Sequence, residues 1–157
     1  MRRLSGLLLA GAMMLLPAFS SGHGSAHAQG QAPQALTFDG DTAILTVAIK
    51  PGKEKDFEMI MSRVRDALMK SEKPERKQQA AGWRVVKSPT AMKDGNVIYM
   101  HLINPVVKGA DYAILPILYE VNTDPMEQRK LFETYRDAFA ANLGGGAFTT
   151  VVDLSKQ

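Results

Sequence analysis

Between residues 29 and 157 the chain holds one imidazole, His101. Imidazole changes charge near neutral pH, so His101 is the candidate for general acid/base work. No second histidine and no cysteine nucleophile accompanies it in that stretch, and no Ser-His-Asp pattern is recognisable. The structural alternative is a histidine satisfied by a neighbouring group on a half-buried sheet face. His23 and His27 lie in residues 1–28. A metal site built on several histidines is thereby excluded within one subunit beyond residue 28, and neither a metal ligand set nor a cofactor is assigned. The acids Glu54, Asp56, Asp124 and Glu127 stand at helix starts, where the helix dipole accounts for them. Gly144-Gly145-Gly146 follows a helical pattern and leads into a strand pattern, the reverse of the order in a phosphate-binding loop.

Aromatic side chains supply the second kind of chemistry. Trp83 and Tyr99 are candidates for the wall of a site taking a small apolar or aromatic ligand, though core filling explains the same rings. If a hairpin pairs Ser88 with Asn96, Trp83 stands opposite His101 and Val85 opposite Tyr99, and all four share a sheet face. A slip of one residue destroys that face. Arg84 alternates away from Trp83, as a rim charge or an anchor for an anionic ligand. Asn104 opens a loop, residues 104–112, of the kind that carries function on a rigid scaffold. Tyr112 and Tyr119, seven apart, fall on one side of a continuous helix and would face a space between helices and sheet. The candidate ligand-binding set is therefore Trp83, Arg84, Tyr99, His101, Asn104, Tyr112 and Tyr119.

These residues need a scaffold. Residues 42–50 are apolar at nearly every position and β-branched at several, which predicts a strand covered on both faces and closed by Pro51-Gly52. Phe57, Ile60, Met61, Val64, Ala67 and Leu68 form one apolar stripe on a helix over residues 53–71. A short second helix over residues 74–81, with Pro74 in its first turn, lacks such a stripe and reads as a solvated connector. Residues 83–87 and 96–103 read as a hairpin. Asp111 is a candidate cap for a helical element containing Tyr112, Ile114, Leu115 and Leu118, which Pro116 predicts to be kinked or in two pieces. Asp124-Pro125-Met126-Glu127 is a strong helix start, with a buried face at Leu131, Phe132, Tyr135, Ala138 and Phe139. The glycine triplet should stop that helix, and residues 148–154 should form the last strand.

The resulting order is β-α-β-β-α-β with an extra kinked helix: an α+β, ferredoxin-like arrangement with a four-stranded antiparallel sheet. Residues 41–157 form its single domain, preceded by a flexible arm over residues 29–40. Residues 1–28 read as a signal peptide: Arg2-Arg3, an apolar run, then Ala26-His27-Ala28 as the cleavage pattern. The run is too short for a stable membrane anchor, so the mature chain is expected to be periplasmic or secreted. Two of the 19 Lys+Arg and none of the 16 Asp+Glu lie in that leader, leaving 17 against 16, a net charge of +1. With no clustered basic face either, nucleic acid is not an expected partner. The 45% hydrophobic content and 22% charge exclude disorder, and the absence of cysteine excludes a disulfide scaffold.

The segment Thr46-Val47-Ala48-Ile49-Lys50-Pro51-Gly52-Lys53-Glu54-Lys55-Asp56-Phe57 resembles the opening of the dimeric α+β barrel proteins, notably the antibiotic-biosynthesis-monooxygenase-like group. The likeness in element order covers roughly residues 41–154. It implies two subunits packed sheet to sheet. The heme-degrading branch of that superfamily uses an early Asn with a Trp and a His. Here the first Asn is Asn96, and both Trp83 and His101 fall on strands, so that pattern is not reproduced.

Strand composition supports the homodimer independently. Ile44 and Ala48 oppose Leu45, Val47 and Ile49, while Ile98, Met100 and Leu102 oppose Val97, Tyr99 and Ile103. Helices on one face would leave the other set in water. The expected function is binding of a small, partly apolar molecule between sheet and helices. The alternatives are a cofactor-independent monooxygenase-like enzyme using His101, and an interaction module without a ligand.

Overall fold

A computed structural model describes residues 35–154. The elements run β1 (Thr42–Ile49), α1 (Glu54–Lys70), α2 (Pro74–Gly82), β2 (Trp83–Lys87), β3 (Val97–Ile103), α3 (Ile114–Val121), α4 (Pro125–Ala138) and β4 (Phe139–Phe148). The strands form an antiparallel sheet in the order β2-β3-β1-β4, compatible with a ferredoxin-like arrangement. No helix among the described residues is long and apolar enough to cross a membrane. The signal peptide read in residues 1–28 lies outside the described residues, as does the arm up to residue 34. Residues 35–40 run against the domain: Phe38 is buried, Leu36 N donates to Asp111 Oδ1, and the Leu36 carbonyl accepts from Tyr112 N.

Alternation in the strands decides what each sheet face does. In β3, Val97, Tyr99, His101 and Ile103 are buried while Ile98, Met100 and Leu102 are half-buried. Ala43, Val47 and Ile49 of β1 join the first set beneath the helices. The α1 stripe of Phe57, Ile60, Val64, Ala67 and Leu68 closes over them as its spacing predicts. On the opposite face Ile44, Met100 and Leu102 lie half-buried beside Val86 at 42% and Phe148 at 52% exposure.

Several expectations need correction. The second helix is no solvated connector: Arg76 and Gln79 of α2 are buried. Arg76 Nη1 donates to Gln79 Oε1 at 2.8 Å and to the Asp111 carbonyl at 2.6 Å, and its guanidinium also pairs with Glu120 of α3. A polar stripe is thus buried by being satisfied. Pro116 does not break α3, because it falls in the first turn, where no backbone donor is needed. Asp111 does not cap that helix; its Oδ1 accepts from Leu36 N and Ala113 N. Tyr112 precedes α3, so Tyr112 and Tyr119 do not share one continuous helix.

The end of the chain departs most. Asp124 caps α4 as expected, accepting from Met126 N at 2.9 Å. That helix stops at Ala138, before the glycines, and the glycines belong to the last strand. Residues 149–154 form no strand. β4 pairs with β1 through two register shifts, between Thr46 and Val47 and between Ala48 and Ile49. Gly144 sits at φ 97°, and a Cβ on Gly145 would run into the Ile44 carbonyl. The triplet therefore lets an edge strand lie close against β1.

Candidate functional site

The alternation of β3 turns His101 toward the helices, and Trp83, the first residue of β2, points to the same side. Their register differs from the expected one. Ser88 N bonds the Ile98 carbonyl at 2.8 Å, so Trp83 faces Ile103, Val85 faces His101 and Lys87 faces Tyr99. The shift is two residues, because the loop between the strands makes its own tight turn, with Gly95 N bonded to the Met92 carbonyl. An even shift preserves which face each side chain occupies.

Trp83 reaches His101 diagonally: Nε1 donates to Nδ1 of the imidazole at 3.1 Å. An indole nitrogen can only donate, so Nδ1 must accept and the neutral ring carries its proton on Nε2. Burial pushes the His101 pKa down to about 4, which keeps the ring neutral across the ordinary range. Among the described residues Nε2 has no hydrogen-bond partner, and no fully buried side-chain nitrogen or oxygen is left unpaired. That N–H is therefore without a partner among the described residues, on a ring that borders free space.

The free space is a cavity of about 590 Å³. Leu45, Val47, Trp83, His101, Phe139 and Asn142 contribute from the sheet, and Ile114, Leu115, Tyr119, Phe132 and Tyr135 from α3 and α4. Leu36, Tyr112, Ala113 and Pro116 also line it, and among the described residues the lining contains no Lys, Arg, Asp or Glu. Tyr112 stacks edge-on to Trp83 with centroids 5.5 Å apart, and its hydroxyl accepts from Val107 N at 2.8 Å. The Tyr119 hydroxyl donates to the Gln128 carbonyl at 3.4 Å, whereas that of Tyr135 has no hydrogen-bond partner among the described residues. Burial raises the pKa of all three tyrosines above 10.0.

Of the sequence-derived candidates, Trp83, His101, Tyr112 and Tyr119 meet around this cavity. The other three lie elsewhere. Arg84 is exposed on the opposite sheet face beside Leu102. Asn104 is exposed at the end of β3, its backbone bonded to Gly82. Tyr99 packs on Phe57 and donates to Glu58 Oε1 at 2.5 Å, with Lys87 bonded to the same oxygen at 3.1 Å. Burial first and the Glu58 bond second push its pKa up to about 12. Of the buried face expected for α4, Tyr135 and Phe139 pack against the core as well as lining the cavity, whereas Phe132, 41% exposed, stands at the cavity's edge. Among the described residues no group of three or more His, Cys, Asp or Glu is placed to hold a metal ion.

Comparison of the chain with family models, with curated proteins and with solved structures gave no match.

Proposed function

We propose that the protein is an exported homodimer of α+β barrel type that binds a small, mainly apolar molecule between its sheet and its helices. The observation that carries this reading is the cavity of about 590 Å³, apolar except for a few convergent polar groups. That size and chemistry suit a small-molecule site. A binding role is favoured over acid/base catalysis by the Trp83–His101 hydrogen bond, which gives the imidazole a proton to donate toward the cavity and no lone pair to accept one. The half-buried apolar sheet face around Ile44, Met100 and Leu102 supports the dimer, since a second copy would remove it from water.

Native mass spectrometry of the protein from its own compartment tests the reading. The expected spectrum shows a dimer with a retained small-molecule adduct. Ala113→Trp, which fills the cavity from the loop before α3, should abolish the adduct while keeping the dimer. An adduct equally abundant in that variant would overturn the cavity as the site.

A further inference from the structure

Resting on the cavity as a ligand site, we infer that its ligand is uncharged and presents one hydrogen-bond acceptor, such as a carbonyl oxygen, to the Nε2–H of His101. Two observations converge. Among the described residues the lining holds no cationic or anionic side chain, so a carboxylate or phosphate would lose its water without gaining a counter-charge. His101 is fixed by Trp83 as a donor toward the cavity, so a pure hydrocarbon that displaced water would leave that N–H unpaired.

The polar part of the recognition is correspondingly sparse. Asn142 Oδ1 is occupied by Gly144 N at 2.8 Å, and the Tyr112 and Tyr119 hydroxyls already have backbone partners. The Tyr135 hydroxyl, which can donate or accept, and the Asn142 Nδ2 amide, which only donates and sits on an exposed residue at the cavity's edge, are the other cavity groups without a hydrogen-bond partner among the described residues. Aliphatic and aromatic side chains make up the rest, so shape and apolar contact supply affinity while the imidazole selects one oxygen.

Three probes of similar body separate the possibilities in calorimetric titrations of the full chain at neutral pH: benzophenone, diphenylmethane and diphenylacetate. Benzophenone should bind roughly tenfold more tightly than diphenylmethane, about the effect of one buried hydrogen bond, with diphenylacetate the weakest. His101→Leu should erase the ketone's advantage and bind diphenylmethane at least as tightly as the parent does. Equal binding of ketone and hydrocarbon, or preference for the carboxylate, overturns the inference while the ligand site stands. Failure of all three to bind removes the ligand site and the inference together. Should His101→Leu fail to fold, long-range proton–nitrogen spectra of the unaltered protein still decide: His101 is expected as the Nε2–H tautomer, its Nε2 signal moving with benzophenone and not with diphenylmethane. The Nδ1–H tautomer overturns the inference.

Discussion

Trp83 Nε1 and His101 Nδ1 lie 3.1 Å apart although the two residues are not cross-strand partners; Val85 holds the position opposite His101. The indole crosses one pleat diagonally to meet the imidazole, with ring centroids 5.7 Å apart. This contact joins the hairpin's packing to the chemistry of the cavity, because it decides which imidazole nitrogen carries the proton.

Trp83→Phe keeps a ring but removes the donor. Nδ1 would be left without its partner, and stability should fall by about 1–2 kcal/mol, read as a lower midpoint in urea unfolding. The imidazole should then populate both tautomers in nitrogen spectra. An unchanged Nε2–H tautomer would mean that something other than Trp83 fixes the ring.

The buried imidazole also predicts a pH dependence of stability. The folded pKa of His101 lies near 4, below the ordinary 6.5, so between these values the unfolded chain binds a proton that the folded chain does not. Stability is therefore full above 6.5 and declines as pH falls toward 4, by about 3 kcal/mol from this group. His101→Leu should flatten that limb of the curve in urea titrations across the range. A variant with the same decline would place its origin in other groups.

Glu120→Gln tests the clamp between α2 and α3. Arg76 is 5% exposed and its guanidinium fork engages Glu120 through Nε, at 3.2 Å, and Nη2. Neutralising the acid removes the counter-charge and one of its two accepting oxygens, leaving the cation with neutral acceptors only, among them Gln79 and the Asp111 carbonyl. A loss of about 1–3 kcal/mol is expected, tempered by the partial exposure of Glu120, and thermal unfolding measures it.

Met100→Glu probes the face away from the helices, where Met100 lies between Thr46 and Val86. If two copies cover this face, a carboxylate at its centre should weaken self-association about a hundredfold or more with the circular dichroism unchanged. Sedimentation velocity reads the outcome. A parent protein that sediments as a monomer removes the dimer from the proposal.

What could be read from the residues depended on whether the signal was local. The doubly apolar β1 and β3, the α1 stripe and the Asp124-Pro125 start of α4 announce themselves within a few positions, and the structure contains them. Even the sheet face shared by Trp83 and His101 was legible, since alternation survives an even error in register. The glycine triplet misled because the same residues that stop helices also permit close strand approach, and only the partner strand decides between these uses. Arg76 and Gln79 looked solvated because their partners, Glu120 and Asp111, are distant in sequence. The cavity itself was beyond local patterns: it depends on the space α3 and α4 leave over the sheet, which no spacing of apolar residues specifies.

Because no described residue lining the cavity changes its charge between about pH 4 and 10, acidity acts on the unfolded chain without altering the charge of the cavity wall. On the proposed reading, occupancy would then follow supply of the guest compound alone. A molecule working in a medium whose acidity it does not control would keep a constant grip there until the fold itself gave way.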